Sequence, residues 1–521
     1  MRLYKAFATV GGMTLISRAL GFIRDILVAF VLGTGPIADA FFVAFRFPNL
    51  FRRLFGEGAF NAAFIPLFAK ELEGNGKGSA KNFANQVASV LITALLITTA
   101  IAELTMPWLI YIIAPGFSEN PEKLDLAIFL TRITFPYLAC MSLVALLSGM
   151  LNALDKFAAA AAVPILLNII LIAAMSIAAS LGLEESEMAG IILSWGVAIA
   201  GLAQLVLLLF CVTKQDFALK LKRPRLTPNV KKFLWLSIPG IIAGGITQIN
   251  IMIGTIIASM QESAVSFLYY ADRLYQLPLG IVGIAIGVVL LPELSRKLRA
   301  GDMSAVHEAQ NRSLEFSALL TMPAAVALFT IPEPIIKVLF ERGAFGSVAT
   351  TATSAALAAF AIGLPSFVLI KVFSPGFFAR EDTKTPMIFA AISMVINVIF
   401  SIILFTHYKH VGIAIATSIA GWANALLLGI LLYKRGHFIT DKALLIKLPR
   451  IILSSLIMGA VLYYAAGVAE PFLQLEHGIW IRFLTLFALV ACGVLAYGVS
   501  AELTGATSLK SLKNSLRPNR Q

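Results

Sequence analysis

Arg18, Arg24, Arg46, Arg52 and Arg53 sit in stretches otherwise built from Leu, Ile, Val, Ala and Phe. Asp25, Asp39 and Glu57 accompany them, and the densest run reads FRFPNLFRRLFGEGAF over residues 45–60. A guanidinium is suited to holding an oxyanion, phosphate or carboxylate, through paired N–H donors. Facing lipid at the bilayer centre, one arginine costs roughly 2.5–3.5 kcal/mol and these five on the order of 12–18 kcal/mol. They must therefore face a wet or paired interior. Asp25, Asp39 and Glu57 can neutralise three of them, and helix pairing alone does not require the surplus that remains. A cationic cavity fits an anionic ligand. Arg273 beside Asp272 in YYADRLYQLPLG adds to the set, and Lys371 in VLIKVFSPGFFAREDTKTP either snorkels or lines the cavity.

The elements that must position these residues are helices. Arg18, Gly21 and Asp25 fall at i, i+3 and i+7, one stripe of a helix, with Arg24 turned about 100° from Asp25. Asp39, Arg46 and Arg53 also recur at intervals of seven, while Arg52 points about 100° from Arg53. Residues 37–69 as one straight helix would span about 50 Å, too long for a bilayer. Pro48, Gly56 and Gly58 are where it should bend or break, and irregular backbone at membrane depth is tolerated where it lines a cavity.

The whole chain shares this apolar character. It has 521 residues, 59% hydrophobic and 13% charged, which defines an all-α polytopic membrane protein rather than a soluble domain. Fourteen transmembrane helices are predicted, near 7–32, 37–69, 83–109, 124–150, 157–181, 188–213, 233–260, 264–295, 313–335, 350–378, 386–406, 411–433, 449–468 and 479–502. Arg2 and Lys5 precede the first, which reads as a retained helix rather than a signal peptide because Arg18, Arg24 and Asp25 interrupt it. With the N-terminus inside, alternate loops collect most of the basic residues, including the stretch KQDFALKLKRPRLTPNVKK, whereas Lys123, Lys337, Arg342 and Lys409 fall outside. The net charge of +13 is thus mainly a topology signal that places both termini in the cytoplasm, and nucleic acid is not an expected partner.

A weak repeat recurs at an offset of about 227 residues: FIPLFAKEL (64–72) resembles LLPELSRKL (290–298), Gly149 and Asp155 match Gly376 and Asp382, and Asn168 approximates Asn397. Two six-helix lobes related by a pseudo-two-fold axis along the membrane normal follow, residues 1–220 and 221–440, with the last two helices and a cytoplasmic tail in 441–521. Facing lobes are the usual scaffold for alternating access.

Other chemistry is poorly represented. Cys140, Cys211 and Cys492 lie in apolar runs without paired spacing and read as core residues. His407 and His410 in HYKH read as plain surface, so no metal site is expected; Arg132 and Arg482 read as interface anchors. Neither a P-loop, a dinucleotide fingerprint nor a nucleophile triad signature occurs, so an enzyme and a bound cofactor are not expected.

ISRALGFIRDILVAFVLGTGPIADAFFVAFRFPNLFRRLFGEGAFNAAFIPLF closely resembles the N-terminal signature of the MurJ (MviN) family of bacterial lipid II flippases, in the multidrug/oligosaccharidyl-lipid/polysaccharide exporter superfamily. YYADRLYQLPLGIVGIAIGVVLLPELS and KVFSPGFFAREDTKTP resemble its later signatures. The resemblance implies an inner-membrane transporter that moves the undecaprenyl-diphosphate-linked disaccharide pentapeptide to the periplasmic leaflet for peptidoglycan synthesis. It assigns Arg18, Arg24, Arg52 and Arg273 to the substrate cavity, with Asp25 and Asp39 as acidic partners, and gives Arg46 and Arg53 a weaker claim. The residues themselves add Asp272, beside Arg273, as a further charge partner, and Glu57 and Lys371 as cavity or gating candidates. The last two helices resemble a pair that forms a lipid-open groove for the polyprenyl tail, and the cell-wall synthesis machinery is a possible partner. The sodium site of some relatives is poorly matched here, where the seventh span lacks a carboxylate and the eleventh offers only Asn397; membrane potential or protons remain open. Two other readings compete: a flippase for another polyprenyl-diphosphate sugar, and a membrane enzyme acting on polyprenyl phosphates, which would need clustered carboxylates for magnesium. A multidrug antiporter would prefer an acidic cavity.

Overall fold

The computed structural model describes residues 2–56 and 59–507; Glu57 lies outside the described residues, as do the side chains of Arg52 and Arg53. The chain runs α1 (Arg2–Leu32), α2 (Pro36–Gly56), α3 (Ala59–Ile113), α4 (Pro121–Thr134), α5 (Tyr137–Ala153), α6 (Phe157–Ser180), α7 (Glu187–Thr213), α8 (Pro228–Ala258), α9 (Ala264–Arg299), α10 (Met303–Thr330), α11 (Pro332–Leu339), α12 (Ser347–Phe378), α13 (Lys384–Lys434), α14 (Lys442–Ala469) and α15 (Ile479–Leu503). Among the described residues no strand is present, as expected where a backbone in lipid must satisfy its own hydrogen bonds. Among the described residues nine helices are long and apolar enough to cross a membrane, or ten if α8, bent by 46°, is counted as one span. Pro239 and the Gly244-Gly245 pair supply the cause of that bend.

The breaks between spans can be compared with those expected. Pro48 stays inside α2, without breaking it; residues 57 and 58, where the over-long second span was expected to break, lie outside the described residues. α3 then continues to Ile113 with a break at Gly76, whose φ of 77° and ψ of 176° no helix accommodates. The expected fourth span is one apolar stretch, Pro121–Ala153, built from α4 and α5 with a turn at Phe135 and Pro136; Thr134 there turns its hydroxyl to the Ala44 carbonyl at 2.9 Å. The expected eleventh and twelfth spans are the two arms of α13, which breaks between them at Lys409 with a left-handed φ of 52°.

Packing divides the chain into two compact units, Met1–Ser266 with Arg342–Phe345, and Phe267–Glu341 with Gly346–Gln521. The first unit extends beyond the lobe boundary expected near residue 220, because α8 packs on α3 and α2. Phe233 meets Phe64 edge-on at 6.1 Å, and the Thr227 hydroxyl donates to Gln86 Oε1 at 2.8 Å. The basic segment before α8 is strapped to α3 as well: the Lys220 and Lys222 amides donate to Asn85 Oδ1 and Ser89 Oγ, both at 2.9 Å. Residues 342–345 dock against the end of α1, where the Ala344 amide donates to the Phe30 carbonyl at 2.9 Å. Gly33 and Gly343, with φ of 59° and 57°, make that approach possible: a Cβ on Gly33 would collide with the Ala344 carbonyl, and one on Gly343 would lie 2.5 Å from the Phe30 carbonyl.

In the second unit α10 packs against α12 and α14, and α14 against α15. Arg312 pairs with Glu315 and Asp441, and Lys447 also reaches Glu315, joining α10 to α14. Arg482 corrects its expected role as an interface anchor: only 6% exposed, it donates Nη2 to the Lys337 carbonyl at 2.6 Å, where α11 ends. A cation at a helix C-terminus meets carbonyls that have no partner within the helix. His410 is likewise not surface; it is buried, 5.0 Å from the Phe267 ring, with Nε2 2.9 Å from the Ala352 carbonyl.

Candidate functional site

On α1 the expected stripe separates into an exposed cation and a buried network. Arg18 is exposed. Asp25 is 3% exposed, and Arg24 curls back onto it: Nε and Nη2 donate to the same carboxylate oxygen, Oδ1, at 3.0 and 2.6 Å. Four side-chain torsions let Arg24 overcome the 100° between the two Cα–Cβ directions. Nη1 donates in the opposite sense to Asn168 Oδ1 on α6 at 2.9 Å, and Asn168 Nδ2 donates to the Ser17 carbonyl at 2.9 Å. Asn168 carried no weight as a site residue in the sequence; its signal was a lone amide in the apolar run VPILLNIILI.

Asp39 was expected to neutralise a cavity arginine and does something else. It has no exposed surface, and its carboxylate meets Lys123 Nζ at 2.7 Å, Ser266 Oγ at 2.5 Å, and the amides of Ser266 and Ser263 at 2.9 and 3.0 Å. Those amides belong to the start of α9, where backbone N–H groups lack helical acceptors and favour a negative charge. Lys123, counted by sequence as an outside-loop cation, is 6% exposed with its ammonium 4.2 Å from the Phe117 ring centroid. Arg46 is half-buried and donates to the Thr255 hydroxyl on α8.

The second unit holds the other expected residues. On α9 the Arg273 guanidinium stacks over the Tyr269 ring at 4.6 Å, and Asp272 accepts from Gln276 one turn on. Stacking on the residue four earlier orients the guanidinium while leaving its edge to polar partners. Lys371, on α12, is exposed. This unit also contains an apolar cavity of about 770 Å³ lined by α10, α12, α13 and α14, including Leu369, Phe373, Leu426 and Leu448. A second apolar cavity of about 730 Å³ lies between α14 and α15, with Val461, Cys492 and Leu495 on its wall. Both suit hydrocarbon; the smaller has no charged residue on its wall, and the larger has Lys434 on its wall.

The chain as a whole is similar to known proteins. The family model described as "Lipid II flippase MurJ" matches residues 28–481. A probable lipid II flippase from Rhizobium meliloti is 50% identical over 518 residues, 99% of this chain and 97% of that protein. One from Rhizobium tropici is 48% identical over 521 residues, 100% of this chain and 98% of that protein. Among solved structures, a lipid II flippase in an inward closed conformation matches with a TM-score of 0.79 at 27% identity, covering 98% of this chain and 99% of that one. An inward-facing multidrug transporter of the MATE family shares the fold at 15% identity, with a TM-score of 0.68 over 82% of this chain and 97% of that one. The chain belongs to the MurJ family of lipid II flippases.

Proposed function

We propose that this protein moves lipid II, the undecaprenyl-diphosphate-linked peptidoglycan precursor, from the inner to the outer leaflet of the bacterial cytoplasmic membrane. The observation that carries the reading is the family match over residues 28–481, which embraces the arginine-bearing helices α2 and α9. The mechanism is alternating access by two six-helix lobes related by a pseudo-two-fold axis, with both termini cytoplasmic. Arg18, Arg24, Arg52 and Arg273 hold the diphosphate and head group. Asp25 and Asp272 tune the local charge, whereas Asp39 is occupied by Lys123 and the start of α9. Arg46, Arg53, Glu57 and Lys371 contribute to the cavity or to its gating. The polyprenyl tail stays in apolar surroundings, for which the cavities along α14 provide room. No bond is made or broken in the cargo, and the driving energy comes from the membrane potential or an ion.

Complementation tests this in cells depleted of their own lipid II flippase, at equal membrane expression. Wild type should restore growth, and Arg18→Ala, Arg24→Ala, Arg52→Ala and Arg273→Ala should leave lipid II in the inner leaflet. Rescue by all four variants would make the arginines structural; failure of the wild type would send the search for cargo to other polyprenyl-diphosphate sugars.

A further inference from the structure

The bonds around Arg24 give Asn168 a task. Nε and Nη2 both donate to Asp25 Oδ1. Asn168 Oδ1, 2.9 Å from Nη1 on the other branch, supplies a fixed point from α6. The amide is itself held: Nδ2 donates to the Ser17 carbonyl, which commits Oδ1 to face Arg24. At 5% exposure in an apolar helix, Asn168 would be costly without such bonds.

We propose that Asn168 is a positioning residue for the head-group site, holding Arg24 in one orientation for a diphosphate oxygen. This rests on the reading of Arg24 as a diphosphate ligand and extends it in one respect. Asp25 beside it cancels the local charge, so Arg24 contributes directed donors more than net attraction, and directed donors depend on a fixed plane. Exposed Arg18 supplies the net attraction. A rigid, pre-oriented guanidinium loses less side-chain entropy when cargo binds than one that must be ordered at that moment.

The competing role for Asn168 is a staple between α1 and α6, acting through Ser17 alone. A double-mutant cycle separates the two: lipid II affinity of the purified full-length protein for wild type, Arg24→Ala, Asn168→Ala and the double variant, with thermal melting of each. Positioning requires Asn168→Ala to weaken lipid II binding about tenfold and to have no further effect once Arg24 is alanine. An equal loss in both backgrounds, or a lowered melting temperature with unchanged affinity, would make Asn168 a staple and overturn the proposal while leaving Arg24 as a ligand. Unchanged affinity in Arg24→Ala would instead refute the ligand role of Arg24, and the positioning role would fall with it.

Discussion

Removing either member of the Asp39–Lys123 pair should destabilise the first unit, by amounts that differ in a predictable direction. Breaking a buried ion pair by deleting one partner costs roughly 3–5 kcal/mol, because the other charge is left uncompensated. After Lys123→Met, the Asp39 carboxylate keeps the Ser266 hydroxyl and the amides of Ser266 and Ser263, so the cost lies near the lower limit of about 3 kcal/mol. After Asp39→Leu, the Lys123 ammonium keeps the Phe117 ring at 4.2 Å, worth about 0.5–2 kcal/mol, and the start of α9 loses its acceptor. That variant should approach about 5 kcal/mol. The double variant Asp39→Leu/Lys123→Met removes both buried charges and should recover part of the loss, since apolar replacements of buried pairs are often neutral. Thermal unfolding of the four proteins in one detergent gives the order: wild type highest, then Lys123→Met, with Asp39→Leu lowest and the double variant above it. Melting of Lys123→Met at the wild-type temperature would refute the claim that this pair holds α2, α4 and the start of α9 together, and a double variant below Asp39→Leu would refute the charge-burial reasoning behind it.

Gly33→Ala should lower stability by about 1–3 kcal/mol from its left-handed backbone alone, with more from the Ala344 carbonyl, whereas the same change at exposed Gly12 should be nearly silent in the same melt. Asp382, between α12 and α13, is held at about 2 by the Thr385 hydroxyl and amide and then by Arg435. A carboxyl depressed in the folded state adds stability above its ordinary range, near 3.8, and loses it as pH falls through 2. Asp382→Asn should therefore melt lower than wild type by a constant margin between pH 5 and 8, with the two curves converging under acid; a margin that changes across neutrality would contradict this. Leu369→Trp, which reduces the larger apolar cavity, should impair lipid II transport while leaving binding of a tail-less diphosphate-sugar analogue unchanged; equal loss of both would place the residue outside the tail path.

The helical character, the excess of apolar residues and the concentration of charge on α1, α2 and α9 were all legible in the sequence, because lipid permits few structures and punishes isolated charge. Finer assignments failed where direction along a helix was used as a proxy for contact. Spacing placed Arg24 away from Asp25, yet the side chain returns across that angle to bond its neighbour. Asp39 shares a heptad stripe with Arg46, yet the carboxylate joins Lys123 from α4 and two amides at the start of α9, while Arg46 finds Thr255 on α8. A helical wheel reports where Cβ points and knows nothing of which neighbouring helix ends beside it. Helix ends are what the charged side chains use here: Asp39 meets the start of α9, and Arg482 meets the end of α11. In an apolar chain, backbone groups at helix termini are strong partners for a buried charge. Charge balance counted over side chains alone therefore overstates how many carboxylates are available to neutralise arginines. With Asp39 committed to Lys123, the arginines of α1 and α2 keep fewer acidic partners than the sequence count implied, which strengthens the case for an anionic cargo.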